Sequence, residues 1–435
     1  MSLRKLGVLA MKATMVQRHR RIFLMIMLLL ILLLIITASL LGERLLSGTS
    51  ATTMALADSG PFIQLPLNAQ QIDDLRHLSG YMKDKQLASL YVARMSLDEE
   101  VGQLIMVEYN DTYYSPDLNE MITQLHAGGV IMYAFQMQSF AQTKHDIALM
   151  QQNAKIPLLI STDEEGGIVQ RLLSIYPPVP SALSIYESGN PNMAAQQGHL
   201  VAHYLKALGI NVNLAPDVDV ALIPNAPDQV TRTFGYTVSS VIQYAGPYLK
   251  ALQSDGVIGC IKHYPGLGDA SIDAHFGLPV VNRTKDQLYS VELATFKHFI
   301  QSPDAQENPG MIMPTDVLMP AIDPTMPAEL SPIFMTDILR KQFGYDGVVL
   351  TDALYMQGIA QTWSMPEAAV LALKAGDDML LGPTGADQMI AMVDGIKAAV
   401  LDGTLPKARI DEAATRIIAL KMEYHLMPAV PPGEV

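Results

Sequence analysis

One cysteine, Cys260 in the apolar stretch GVIGCI, stands among 435 residues. An intrachain disulfide and a cysteine-based metal cluster are therefore excluded, and Cys260 itself reads as a small buried hydrophobe. The first 41 residues hold six Lys and Arg and no acid, which leaves 23 bases against 43 acids in the remainder. A body so acidic repels phosphate, so nucleic acid is excluded as a partner. Short repeats and low-complexity tracts are missing as well. With 49% of its residues hydrophobic, the chain is not disordered in its main state.

The stretch IFLMIMLLLILLLIITASLL, residues 22–41, carries no charge. Twenty such residues span a bilayer as a helix, and Arg18, Arg20 and Arg21 before them predict a cytoplasmic N-terminus. A cleaved signal peptide competes, because ALA at 55–57 resembles a cleavage site. That triplet lies far beyond the apolar run, and the run is long for a signal. The expected order is a basic cytoplasmic tail (1–21), a membrane anchor (22–41) and a spacer with a leading helix (42–91). Either way the acidic body faces outward, anchored or secreted. No cysteine follows the run to take a lipid.

From there short apolar runs recur with helix-compatible sequence between them. They are GQLIMVEY (102–109), GGVIMYA (128–134), PLLIST (157–162), NVNLAPDVDV (211–220), GVIGCIKH (256–263), GMIMPTDV (310–317), GVVLTDAL (347–354) and DMLLGP (378–383). Near-continuous apolar strands alternating with helices indicate a parallel sheet covered on both faces. Eight of them predict a single α/β domain of the (β/α)8 barrel type, with a doubly wound open sheet as the alternative. The closing segment ARIDEAATRIIALKMEYHL has helical spacing. Polar residues collect at or just after the ends of these strand candidates: Asp163, Asp217, Asp219, Lys262, His263, Asp316 and Asp352. In a barrel such positions converge on one face; acids following strands merely because loops are polar is the bland alternative.

The densest cluster is KHYPGLGDASIDAH, residues 262–275. Asp273 and His275, two apart, fall on the same side of an extended loop, so the carboxylate can orient the imidazole for proton transfer. The same stretch permits two other readings. His263, Asp269, Asp273 and His275 offer metal-ligand atoms, although the spacing matches no standard zinc pattern and Lys262 adds a repelling charge. A solvated loop without chemistry is the third. Asp352 ends an apolar strand, which suits a nucleophile or an acid/base group and equally a helix N-cap. In STDEEGGIVQR (161–171) Asp163 precedes a Gly pair that lets backbone approach a ligand, and Arg171 follows. Arg232 in VTRTFG suits bidentate recognition of oxygens, or is simply solvated.

Taken together, these blocks resemble glycoside hydrolase family 3, in its β-N-acetylglucosaminidase branch. MSLDEEVGQLIM (95–106), TDEEGGIVQRL, NLAPDVDV, an Arg before TFG, KHYPGLGDASIDAH, PAELSPIFMTDILRKQFGYDGVVLTDALYM (327–356) and AAVLALKAGDDMLL (368–381) stand in the family's order. The resemblance implies a TIM-type barrel over 92–428, a tail at 429–435, and activity without the second sandwich domain of many members. It implies that Asp352 is the nucleophile, that His275 is the acid and then the base, and that Asp273 orients it. Asp163, Arg171, Arg232, Lys262 and His263 would hold the hydroxyls of a terminal GlcNAc. A retaining reaction of this kind needs one ionised carboxylate and one proton donor, with no metal or organic cofactor. Peptidoglycan fragments are the favoured substrates and a monomer is expected. Transfer to phosphate, β-glucosidase activity and a catalytically dead saccharide-binding barrel are the rivals. Two positions depart from the family pattern: Leu267 and Asp316 stand where many members have His, and both are expected to alter the pocket wall.

Overall fold

The computed structural model describes residues 84–223 and 231–427. The expected anchor at 22–41, most of the spacer and the tail at 429–435 lie outside the described residues. Among those described, no helix is long and apolar enough to cross a membrane.

Eight parallel strands close on themselves in chain order: β1 (Ile105–Glu108), β2 (Gly129–Ile131), β3 (Leu159–Thr162), β4 (Val212–Asn213), β5 (Ile258–Tyr264), β6 (Met311–Pro314), β7 (Val348–Ala353) and β8 (Met379–Thr384). Pairing of β1 with β8 through Ile105–Leu380 and Met106–Leu381 shuts the barrel and removes the open-sheet alternative. Every strand residue except Asp352 and Thr384 is buried, as expected where helices cover the outside and side chains fill the inside.

Most runs extend beyond the strand they hold. Gly102 and Gln103 belong to a helix, α1 (Leu97–Gln103), started by a capping box in which Ser96 and Glu99 exchange side-chain and backbone bonds. In NVNLAPDVDV only Val212 and Asn213 pair as strand. Pro216 has no N–H to give a ladder, and Asp217 and Asp219 turn their carboxylates to other work. The leading helix is seen from Asp84 to Val92, and the closing helix, α2 (Lys407–Glu423), forms as its spacing predicts.

The base of the barrel is tied by one buried carboxylate. Asp378, ahead of β8, accepts from Arg340 at 2.5 Å, Arg409 at 2.6 Å and Arg416 at 3.0 Å. Burial alone would raise its pKa, but three guanidinium groups overcome that and lower it to about 2. Arg409 and Arg416 both lie on α2, so this ion cluster fastens the last helix to the barrel floor.

Candidate active site

A pocket of about 200 Å3 opens at the C-terminal ends of the strands. Its walls include Tyr133 after β2, Asp163 and Arg171 after β3, Arg232 after β4, Lys262 and His263 of β5, His275 beyond it, and Asp352 and Tyr355 of β7 and the turn that follows. Seven of the eight residues expected at a site thus line one cavity, and Asp273 supports it from behind His275.

The wall from β3 to β5 is a charge-balanced network. Lys262 Nζ donates to Asp163 Oδ1 and Glu165 Oε1, each at 2.7 Å. Arg232 grips the same Glu165 with two bonds, Nε to Oε2 at 2.8 Å and Nη2 to Oε1 at 2.7 Å. Arg171 approaches Asp163 Oδ2 at 3.6 Å. Burial raises the cost of charge on all of them, but the partners prevail: Lys262 and Arg171 hold Asp163 low, Arg232 and Lys262 hold Glu165 low, and the two acids hold Lys262 charged. Such a network presents fixed donors and acceptors to hydroxyl groups at no reorganisation cost.

His263 completes that wall. Its Nδ1 lies 2.9 Å from Asp219 Oδ2 and its Nε2 lies 3.2 Å from Arg232 Nη2. Burial disfavours the imidazolium, but the bond to Asp219 raises its pKa on balance. Asp217 sits beside them, fully buried; desolvation and the neighbouring Asp219 push its pKa well up. Asp217, Asp219 and His263 have donor atoms within 4.8 Å of one another. Asp219, however, already gives its oxygens to His263 and to the backbone N–H of Leu267 at 2.9 Å. The four-residue metal set considered from the sequence does not assemble, because His263 pairs with Asp219, Asp269 with Arg283 and Asp273 with His275.

On the far side Asp352 ends β7 with its Oδ2 accepting from Thr315 Oγ1 at 2.9 Å and its Oδ1 from the Ala353 N–H at 2.8 Å. It is not an N-cap of the helix after it; that cap position is Met356. His275 reaches the pocket from the loop after β5, its Nδ1 2.8 Å from Asp273 Oδ1. The His275 side chain is 59% exposed, so it stands at the open edge of the pocket.

Several sequence expectations need correction. Arg232 is buried and bound to Glu165, not solvated. The Gly pair is required by the chain's own packing: a Cβ on Gly166 would sit 2.2 Å from Pro180 O and one on Gly167 2.5 Å from Ser181 Cβ, both at positive φ. Leu267 and Asp316 are buried and line no part of the pocket; Leu267 joins the core, and Asp316 lies beneath the floor. Three residues were overlooked. Glu165 sat unremarked within the STDEEGG motif. Thr315 gave no signal, since a threonine at a strand end is ordinary. Glu108 obeys the very rule that found Asp163 and Asp352, an acid at a strand's C-terminal end. It accepts from Tyr133 at 2.8 Å and Tyr355 at 3.1 Å, fixing two pocket walls.

Comparison with known proteins places the chain in one family. The family model for the glycosyl hydrolase family 3 N-terminal domain matches residues 96–420. The chain is 33% identical over 299 residues to beta-hexosaminidase A of Pseudoalteromonas piscicida, covering 62% of this chain and 48% of that protein. It is 31% identical to a beta-hexosaminidase of Idiomarina loihiensis, covering 73% of this chain and 92% of the relative. A family 3 beta-N-acetylglucosaminidase structure from Paenibacillus superposes with a TM-score of 0.73 at 35% identity, over 76% of this chain and 63% of that one. The chain thus spans about half the length of the first relative and nearly all of the second.

Proposed function

We propose that this chain, which belongs to glycoside hydrolase family 3, removes terminal β-linked GlcNAc from saccharides with retention of configuration. One observation carries the reading: a strand-end carboxylate, Asp352, and a carboxylate-oriented imidazole, His275, share the walls of one pocket. The relatives' names as hexosaminidases support the sugar.

In the first step an Asp352 oxygen bonds to the anomeric carbon as the glycosidic C–O bond breaks. His275 Nε2 gives its proton to the departing oxygen, while Asp273, accepting from Nδ1–H, stabilises the imidazolium beforehand. The neutral imidazole then takes a proton from water, whose oxygen attacks the anomeric carbon and frees Asp352. An imidazole as proton donor adds no further carboxylate to the pocket wall, where like charges would raise one pKa. Asp163, Arg171, Arg232, Lys262 and His263 hold the sugar hydroxyls, with Glu165 and Asp219 holding the cations and the imidazole in turn.

Peptidoglycan-derived GlcNAc disaccharides are the substrate class the resemblance favours. The uncharged run at 22–41 supports a barrel placed outside the membrane, anchored or released.

The test is release of aryl groups from a β-N-acetylglucosaminide and a β-glucoside, with and without phosphate, by the protein and by Asp352→Ala. The expected result is phosphate-independent GlcNAc release that falls by about 10^4-fold or more in the variant. Strong acceleration by phosphate would replace hydrolysis with phosphorolysis. Turnover of neither sugar by folded protein would leave a saccharide-binding barrel.

A further inference from the structure

The corner of the pocket floor around Asp352 holds more acid than the reaction uses. Asp316, just beyond β6, is fully buried, and its Oδ2 has no hydrogen-bond partner among the described residues. Glu329, on the 3-10 turn Ala328–Leu330, is equally buried and its carboxylate meets no side-chain donor among the described residues. Gly358 closes over Asp316: a Cβ there would fall 2.0 Å from Asp316 Oδ2, and the Gly358 N–H bonds Ala274 O at 3.3 Å, between Asp273 and His275. Asp316 therefore lies under the junction of the Asp352 strand and the Asp273–His275 loop.

The hydroxyl of Thr315 decides the protonation. Its Oγ1 lies 2.9 Å from Asp352 Oδ2 and 3.3 Å from Asp316 Oδ1. A hydroxyl has one hydrogen and two lone pairs. The shorter bond takes the hydrogen to Asp352, which leaves a lone pair of Oγ1 facing Asp316. An ionised Asp316 would confront that lone pair; a protonated one donates to it and completes a chain from Asp316 through Thr315 to Asp352.

We propose that Asp316 is a positioning residue, a neutral carboxylic acid that secures the Thr315 hydroxyl on Asp352 and leaves Asp352 the only anion of that corner. The proposal rests on the reading of Asp352 as nucleophile. Charged groups facing Asp316 are acids from three elements: Asp352 on β7, Glu329 on the 3-10 turn and Asp273 on the loop after β5. Burial first, and then Asp352, raise its pKa to about 9, while burial and its acidic neighbours push Glu329 well up. Two carboxyls at close quarters divide into one acid and one anion when their surroundings differ. Here Asp352 accepts two hydrogen bonds and edges the pocket, so it is the anion.

The experiment is the pH profile of kcat/KM for 2,4-dinitrophenyl β-N-acetylglucosaminide, whose leaving group departs without a proton from His275. Thermal unfolding is followed at each pH. The native protein is expected to lose activity as pH rises toward 9, when Asp316 ionises and draws the Thr315 hydrogen away from Asp352. Asp316→Asn keeps shape and neutrality, so its acidic limb stays in place while the alkaline fall disappears. Asp316→Ala loses activity that Asp316→Asn retains. An acidic limb moved to lower pH in Asp316→Asn would show that Asp316 had been an anion and would overturn the proposal; an unchanged alkaline limb would do the same. Should Asp316→Asn fail to fold, Thr315→Val applies: kcat is expected to fall roughly tenfold at unchanged KM, and unchanged kcat would overturn the chain. Asp352→Ala separates the premises, since activity surviving there removes the nucleophile reading before Asp316 is at issue.

Discussion

The two sides of the pocket are built on opposite electrostatic plans. From β3 to β5, three acids (Asp163, Glu165 and Asp219) meet Lys262, Arg232 and His263 in short bonds, so that nearly every charge has a partner. At β6 and β7, Asp352, Asp316 and Glu329 stand together with no ion pair to a base among the described residues. A balanced wall can hold neutral hydroxyls by hydrogen bonds without drifting. An acid-only corner offers one carboxylate whose charge is not already neutralised by a cation, which suits a group that must bond to an electron-poor anomeric carbon. Burial is common to both; the difference in partners sets what each side does.

The comparison is broken most severely by taking away the proposed proton donor. His275→Ala is expected to lower kcat/KM about 10^2- to 10^4-fold for alkyl glycosides and far less for 2,4-dinitrophenyl glycosides. An equal loss on both substrates would remove His275 from proton transfer.

Next comes charge removal from the balanced wall. Lys262→Met takes the ammonium from Asp163 and Glu165 and leaves only Arg171 and Arg232 beside them, and chemical denaturation should show a loss of about 3 kcal/mol. On the acid-only side Asp316→Asn removes no charge from the folded protein at neutral pH, so no loss of that size is expected. Equal costs would erase the distinction between the two sides.

Stability against pH also separates the walls, and its sign differs between them. Asp163 has a folded pKa below its unfolded value of about 3.9, held there by Lys262 and Arg171 against burial. Its contribution is present above that unfolded value and is lost as pH falls through the folded one. Asp316 has a folded pKa raised to about 9, by burial and by Asp352. Its contribution is complete below the unfolded value and is lost as pH rises toward 9. Thermal unfolding should therefore find Asp316→Asn gaining on the native protein from pH 5 to 9. Asp163→Asn should fall further behind from pH 3 to 5.

Much of the barrel was legible because parallel strands buried on both faces must be nearly all apolar, and all eight runs contain or overlap a strand. The fourth run keeps only two regular strand residues because the ladder is interrupted around Pro216, although Ala215, Pro216 and Val218 still bond the backbone of β5. Apolarity alone cannot say where a ladder breaks. Asp163, Lys262, His263 and Asp352 were legible from a register, polar groups at strand ends, that the barrel turns into proximity. Their partners were not. Glu165 and Arg232 are 67 residues apart, and Glu108 and Tyr355 247 apart. Spacing along the chain carries no trace of pairs made across a closed barrel. The departure at Asp316 was visible as an unusual residue, but its place beneath the floor depends on how closely Gly358 packs.

The most direct test of the central claim is to trap the glycosyl-enzyme with a 5-fluoro β-N-acetylglucosaminyl fluoride, then digest the protein and locate the label by mass spectrometry. One sugar per chain on Asp352 is the predicted result. A label on any other residue, or steady turnover of the reagent with none accumulating in the native protein and in His275→Ala alike, would contradict it.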